Sequence, residues 1–292
     1  MDESKYEAFL LAVDHGSLTA AAEYLGYTQS GITRIIKGLE DELGFPLFIR
    51  SKKGVRLTEN GKTMVPLFRE IYRSMQNIKQ TSADICGTVR GTLTIGCYFS
   101  IASVWMPTLL RGFQEQYPGL SISLHEGSNL TMDKFLNEKS VDCCFCALPR
   151  TASVDWIPIF EDEVVAWVPK DHPAAKAGVL DIRDLAKEPF IQTHPGEDTE
   201  TDTLIHKFHL KLDVRFTTLN AYTTYNMVSN GLGISLDQKL RARKWSGNVA
   251  EVPLSPRQFE SLGIAVPSLS DASPAAKKFI KYIREMNFKE LI

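Results

Sequence analysis

The chain has 292 residues, 43% apolar and 23% charged. That is enough for about two domains with cores of their own and too apolar for a disordered chain. Lys and Arg number 33 against 35 Asp and Glu, a formal net charge of −2, so any nucleic-acid surface must be local rather than global. No apolar run approaches the ~18 residues of a membrane span, the start carries Asp2 and Glu3 instead of a basic leader, and Cys86, Cys97, Cys143, Cys144 and Cys146 show no disulfide-framework spacing. The expectation is a cytoplasmic protein with no membrane partner.

The first sixty residues carry the sharpest pattern. Tyr6, Phe9, Leu10 and Val13 recur at helical spacing and Gly16 offers a stop. Ser17 is placed as the N-cap of a short helix, Leu18 to Leu25, whose three alanines allow close approach, and Gly26 ends it. Thr28 caps the next helix, in which Ile32, Ile35, Ile36, Leu39 and Leu43 form an apolar stripe closed by Gly44. Its other face presents Gln29, Ser30, Thr33, Arg34 and Lys37. Two short helices joined by a tight turn, the second with polar donors near its start, describe a helix-turn-helix whose second helix enters the major groove. Gln and Arg can there bond base edges in pairs, while Lys and hydroxyls hold phosphate.

A hairpin follows, with Leu47 to Arg50 as one strand, Ser51 to Gly54 as the turn and Val55 to Leu57 as the return. From Gln29 to Arg56 there are six basic residues (Arg34, Lys37, Arg50, Lys52, Lys53 and Arg56) against three acidic ones (Glu40, Asp41 and Glu42), a local excess of three. A cationic hairpin after such a helix pair is a wing, and it favours a DNA-binding reading over an ordinary three-helix bundle with a solvated face.

The run from Gly16 to Ala22, then Thr28 to Ile36, then Leu39 to Arg50 and Val55 to Gly61, resembles the winged helix-turn-helix of LysR-type transcriptional regulators over some sixty consecutive residues. Gly31 and Thr33 stand where that family often has Ala and Ser, and Gly38 lies inside the recognition helix, where it costs up to ~1 kcal/mol against Ala. The resemblance implies that residues 1–58 bind double-stranded promoter DNA, with contacts from Ser17, Thr19, Thr28, Gln29, Ser30, Thr33, Arg34, Lys37, Arg50, Lys52, Lys53 and Arg56.

Thr58 caps a third long pattern reaching about Ser82, so residues 59–90 read as a linker helix and hinge. Leu67, Ile71, Met75 and Ile78 approximate a coiled-coil seam, with Arg69, Glu70, Arg73 and Lys79 off it; the alternative is packing onto the helix's own domain. Similar proteins pair through this helix, which implies a homodimer and, by further pairing, a homotetramer.

From Gly91 strands and helices alternate. Strands are expected at Leu93–Gly96, Leu120–Leu124, Val141–Ala147, Val164–Val168, Phe190–Ile191, Asp213–Phe216 and Ile234–Leu236. Helices are expected at Ile101–Tyr117, Leu130–Asn137, from about Thr199, at Ala221–Ser229 and at Pro274–Met286. This order predicts an α/β domain with a mostly parallel sheet covered on both faces, with ligands beyond the carboxyl ends of its strands. The overall class is thus α/β, with a largely helical N-terminal winged helix-turn-helix, a long linker helix and a two-subdomain C-terminal half. Residues 91–292 resemble the same family's effector-binding half, through Gly91 to Gly96, Phe113 to Pro118, Asp171-His172-Pro173 and Gly231 to Ile234. That half is built like a type 2 periplasmic binding protein. Subdomain I is expected to comprise 91–161 and 268–292 and subdomain II 162–267, with hinges near Glu161 and Val266.

The resemblance places an effector pocket between the subdomains. Carried over by position, it is formed by Ser100 and Ile101, by Ser128 and Asn129, and on the far wall by Thr193, His194, Tyr222 and Thr223. Hydroxyls and free N–H groups at helix starts suit a carboxylate or other anion, whereas Glu197, Asp198 and Glu200 beside His194 repel one, so the residues leave the ligand's class open. Each serine could also merely cap its own helix. Cys143, Cys144 and Cys146 read as core more readily than as a metal or redox site, with Cys97 the other redox candidate, and His206 and His209 lack a third ligand. No phosphate loop, nucleophile elbow or metalloprotease motif is present, so no enzyme, metal or cofactor is expected.

Overall fold

The computed structural model describes residues 3–51, 54–149, 153–196 and 199–291. Lys52, Lys53, Glu197 and Asp198, named above, lie outside the described residues. The chain divides into two compact units, one comprising Met1–Gly91 with Glu138–Ser140 and the other Thr92–Asn137 with Val141–Ile292.

In the first unit, α1 (Glu3–His15), α2 (Leu18–Leu25) and α3 (Gln29–Leu43) precede a hairpin of β1 (Phe48–Ser51) and β2 (Gly54–Leu57), and α4 (Glu59–Ile85) follows. Each expected cap forms: Ser17 Oγ accepts from Ala20 N–H at 3.2 Å, Thr28 Oγ1 from Gly31 N–H at 3.1 Å and Thr58 Oγ1 from Gly61 N–H at 2.9 Å. Each such cap contributes about 1 kcal/mol by satisfying an otherwise open helix-start donor. Gly26 and Gly44 close α2 and α3 in the left-handed conformation. Tyr6, Phe9, Ala21, Ala22, Ile32, Ile36, Leu39, Val65 and Phe68 share one core, with the Phe68 ring 5.1 Å from Tyr6 and 5.2 Å from Phe9.

The hairpin is pinned at both ends. Glu40 Oε1 accepts from Leu47 N–H at 2.7 Å and from Phe48 N–H at 3.1 Å, tying β1 to α3. Val55 N–H donates to Gly16 O at 3.1 Å, tying β2 to the α1–α2 turn. Gly54 has φ +117°, and a Cβ there would lie 2.6 Å from Gly16 O, so this approach requires glycine.

Helix α4 has two apolar faces, and the sequence reading had merged them. Val65, Phe68, Tyr72 and Met75 pack on the unit's own core, assisted by Tyr72 Oη donating to Glu7 at 2.8 Å and Lys79 Nζ to Glu3 at 2.7 Å. Leu67, Ile71, Ile78 and Ile85 are 49%, 40%, 70% and 81% exposed. Met75 therefore leaves the expected seam, and Ile85 joins a stripe in which Ile71, Ile78 and Ile85 stand seven residues apart.

The second unit runs β3 (Gly91–Cys97), α5 (Phe99–Val104), α6 (Met106–Gln116), β4 (Leu120–Glu126), α7 (Asn129–Asn137), β5 (Cys143–Ala147), β6 (Asp155–Pro169), α8 (Pro173–Ala177), β7 (Leu180–Asp181), β8 (Pro189–Thr193), α9 (Glu200–Lys207), β9 (Asp213–Thr218), α10 (Ala221–Ser229), β10 (Ser235–Gln238), β11 (Val249–Val266) and α11 (Pro274–Arg284). The main sheet has the order β10-β6-β11-β5-β3-β4, and β8 pairs β9 separately. Parallel pairing holds for β3 with β5 and for β8 with β9. The centre is antiparallel, with β11 between β5 and β6 and β10 against β6. The expected mostly parallel sheet is therefore a mixed one.

Two further expectations change. The single helix Ile101–Tyr117 is two, broken at Trp105, because Pro107 has no N–H to donate back and occupies the first turn of α6. Strand β11 was not foreseen, and β6 is far longer than Val164–Val168. Both strands carry prolines where the ladder lapses: Pro253 stands at a register shift, Pro256 falls in the unpaired stretch before Gln258, and Pro158 abuts the second shift at Gly263. The expected hinge positions Glu161 and Val266 lie inside these long strands, paired with Ser261 and Asp155.

Candidate functional site

Helix α3 presents a sharp division. Ile32, Ile36 and Leu39 are wholly buried, while Gln29, Ser30, Arg34 and Lys37 are exposed and Thr33 is half-buried. Among the described residues no ion pair engages Arg34, Lys37 or Arg56, leaving three cationic heads available to an anion. Thr28, whose hydroxyl caps α3, also lies 3.1 Å from the Ser30 hydroxyl. Arg50 is exposed and 3.9 Å from Glu40 Oε2, too long a contact to neutralise it. Ser17 is half-buried at its cap, and Thr19, two residues further along, is exposed. Tyr24 and Tyr27 are also exposed, on α2 and in the turn. Tyrosine is as common in cores as on surfaces, so only the packing distinguishes them.

The second unit holds a cavity of about 380 Å³. One wall is Tyr98 and Phe99 at the start of α5, Glu126, Gly127 and Ser128 where β4 gives way to α7, and Asn129 and Thr131 on α7. The other is His194 after β8, Thr199 before α9, Leu219 to Tyr222 at the start of α10, and Arg241. These positions follow strand ends and open helices, as the fold rule requires. Thr199 and Asn220 cap their own helices, Asn220 Oδ1 accepting from Tyr222 N–H at 2.9 Å and Thr223 N–H at 3.2 Å. Arg241 Nε donates to Asp237, which is buried.

Of the expected effector residues, Ser128, Asn129, His194 and Tyr222 line this cavity. Ser100 and Ile101 are completely buried behind it. The Thr193 hydroxyl lies 2.8 Å from that of Thr224, beneath α10, and the Thr223 backbone caps onto Asn220. Tyr98, Phe99 and Glu126 lie within two residues of expected positions, and Leu219 lies three from Tyr222. Arg241 had no local signal, being brought in by the turn after β10.

The cysteines of β5 are all buried. Burial pushes the Cys97 thiol up to about 12, reinforced by the charge of Glu126, and also raises Cys144 and Cys146. A redox sensor needs an accessible thiolate, which these positions suppress. Among the described residues no group of His, Cys, Asp or Glu is placed to hold a metal ion, and no helix is long and apolar enough to cross a membrane.

Two family models match the chain. One, for bacterial regulatory helix-turn-helix proteins of the lysR family, covers residues 4–62, and the other, the LysR substrate binding domain, covers residues 87–287. YvbU of Bacillus subtilis (strain 168), an uncharacterized HTH-type transcriptional regulator, is 28% identical over 289 residues, spanning 98% of this chain and 99% of its own. Among solved structures, a full-length OxyR variant from Pseudomonas aeruginosa is 23% identical with a TM-score of 0.75, covering 98% of this chain and 96% of its own. Full-length CbnR in complex with its target DNA is 20% identical with a TM-score of 0.64, covering 97% of this chain and 99% of its own. The chain therefore belongs to the LysR family of transcriptional regulators, with a DNA-binding helix-turn-helix and an effector-binding domain.

Proposed function

We propose that this regulator works in the cytoplasm as a homodimer joined through α4, acting by binding rather than by turnover. Two copies of α3 then read the major groove of a two-fold-related promoter site. Gln29, Thr33 and Arg34 face base edges, while Ser17, Thr19, Thr28, Ser30, Lys37, Arg50, Arg56 and the adjoining Lys52 and Lys53 hold phosphate. The observation that carries this reading is the exposed charged face of Arg34 and Lys37, without an ion pair among the described residues, directly opposite a fully buried stripe on one helix. CbnR, which shares the fold, was solved on its target DNA, and the same placement of the recognition helix suits this chain.

The cavity of the second unit is the effector site in this reading, lined by Ser128, Asn129, His194 and Tyr222, with Ser100, Ile101, Thr193 and Thr223 supporting its walls. Its occupant acts by favouring one arrangement of the assembly over another, which requires different affinities for the two.

The test compares Arg34→Ala with Arg56→Ala on the gene's own upstream DNA and on unrelated DNA. Loss of a base contact costs about 1–3 kcal/mol on the specific site alone, whereas loss of a phosphate contact weakens both DNAs alike and flattens the salt dependence. Unchanged affinity of Arg34→Ala for the upstream DNA would remove Arg34 from the reading helix.

A further inference from the structure

The charges around the cavity say more about its occupant than the helix starts do. A carboxylate, Glu126, and a guanidinium, Arg241, line it together with His194. They are not equivalent. Arg241 already donates to the buried Asp237, so its charge is offset within the protein. Among the described residues no hydrogen bond or ion pair holds the carboxylate of Glu126. A carboxylate only accepts hydrogen bonds. Glu126 is exposed, and among the described residues its carboxylate is the lining charge without a protein partner, which disfavours a purely anionic occupant.

The aromatic lining acts in the same direction. Tyr98, Phe99 and Tyr222 line the same cavity as Glu126. Aromatic faces are negative and attract cations. A carboxylate set among rings is the arrangement that recognises an ammonium group.

We propose that the cavity binds an amine-bearing small molecule, its ammonium paired with Glu126 and flanked by the rings of Tyr98, Phe99 and Tyr222. The inference rests on the effector-site reading above and assigns its ligand class. Ser128, Asn129 and Thr131 line the same cavity and would face the polar remainder of such a molecule, as in an amino acid. The cavity of about 380 Å³ suits a compact ligand, at the small end of the range for such sites.

Ligand-observed NMR on the full-length chain tests this with matched probes. 2-Phenylethylamine, cadaverine and phenylalanine carry the amine; 3-phenylpropionate and benzoate lack it. The variants are Glu126→Gln, Glu126→Lys and the cavity-filling Asn129→Trp. The proposal expects an amine to bind and to weaken at least tenfold in Glu126→Gln, with loss in Asn129→Trp. It expects Glu126→Lys to gain affinity for an amine-free acid, a reversal that an unfolded variant would not show. Acids binding the wild type in the cavity, lost in Asn129→Trp but unaffected by Glu126→Gln, would overturn the amine assignment and leave the effector site standing. Amine binding indifferent to Glu126→Gln would also overturn the assignment. If no probe responds to Asn129→Trp, the effector-site reading fails and the amine assignment fails with it.

Discussion

Asp162→Asn should change how the effector unit's stability depends on pH. Asp162 lies on β6, is 3% exposed, and accepts from Leu240 N–H through both carboxylate oxygens at 3.2 Å. Burial raises its pKa from 3.8 to about 7, and the nearby Asp237 carboxylate adds to the effect, while the Leu240 amide and Arg241 oppose it. Above pH 4 the unfolded chain has released this proton and the folded chain still holds it. The stability associated with that proton is complete below the unfolded value and is lost as pH rises through the folded one. From 3.8 to about 7, at about 1.4 kcal/mol per pH unit, the loss is on the order of 4 kcal/mol. An asparagine carbonyl can still accept from Leu240 and does not titrate.

Urea unfolding followed by tryptophan fluorescence measures this cleanly, because Trp105, Trp156, Trp167 and Trp245 all belong to the second unit. Between about pH 5 and pH 8 the wild type should lose roughly 2–3 kcal/mol that Asp162→Asn retains. Parallel pH profiles for the two proteins would show that Asp162 ionises normally and would refute the reasoning.

Two further variants test the first unit. At Gly38, inside α3, a Cβ would meet nothing within 4 Å, so Gly38→Ala should raise stability by up to about 1 kcal/mol through helix propensity alone, seen as a higher melting midpoint by far-UV circular dichroism; a lower midpoint would mean the glycine has a packing role. Ile71→Asp combined with Ile78→Asp places charge on the exposed stripe of α4 and should convert dimer to monomer in analytical ultracentrifugation with helicity preserved; an unchanged mass would move the interface elsewhere.

The N-terminal unit was legible because its signals are local. Ser17, Thr28 and Thr58 announce helix starts, Gly26 and Gly44 announce stops, and the Ile32, Ile36 and Leu39 stripe defines which face of α3 is buried. The second unit was less so because its centre is made by distant pairing. Strand β11 is recognisable only once β6 and β5 flank it, and its prolines sit where the ladder lapses. The cavity shows the same divide. Strand ends and helix starts pointed to the right neighbourhood, but one or two residues decide whether a side chain faces inward, so Ser100 was chosen where Tyr98 and Phe99 line the space. Met75 on α4 went astray for a similar reason, since two apolar faces on one helix produce overlapping spacings.

The most direct test of the account is a footprint of the wild-type protein on the DNA upstream of its own gene, at low ionic strength and again at moderate salt. The account predicts protection of two related half-sites on one face of the duplex, surviving the added salt because base contacts supplement the electrostatic term. Protection that is absent at low ionic strength, or that covers every fragment equally and vanishes as salt rises, would contradict it.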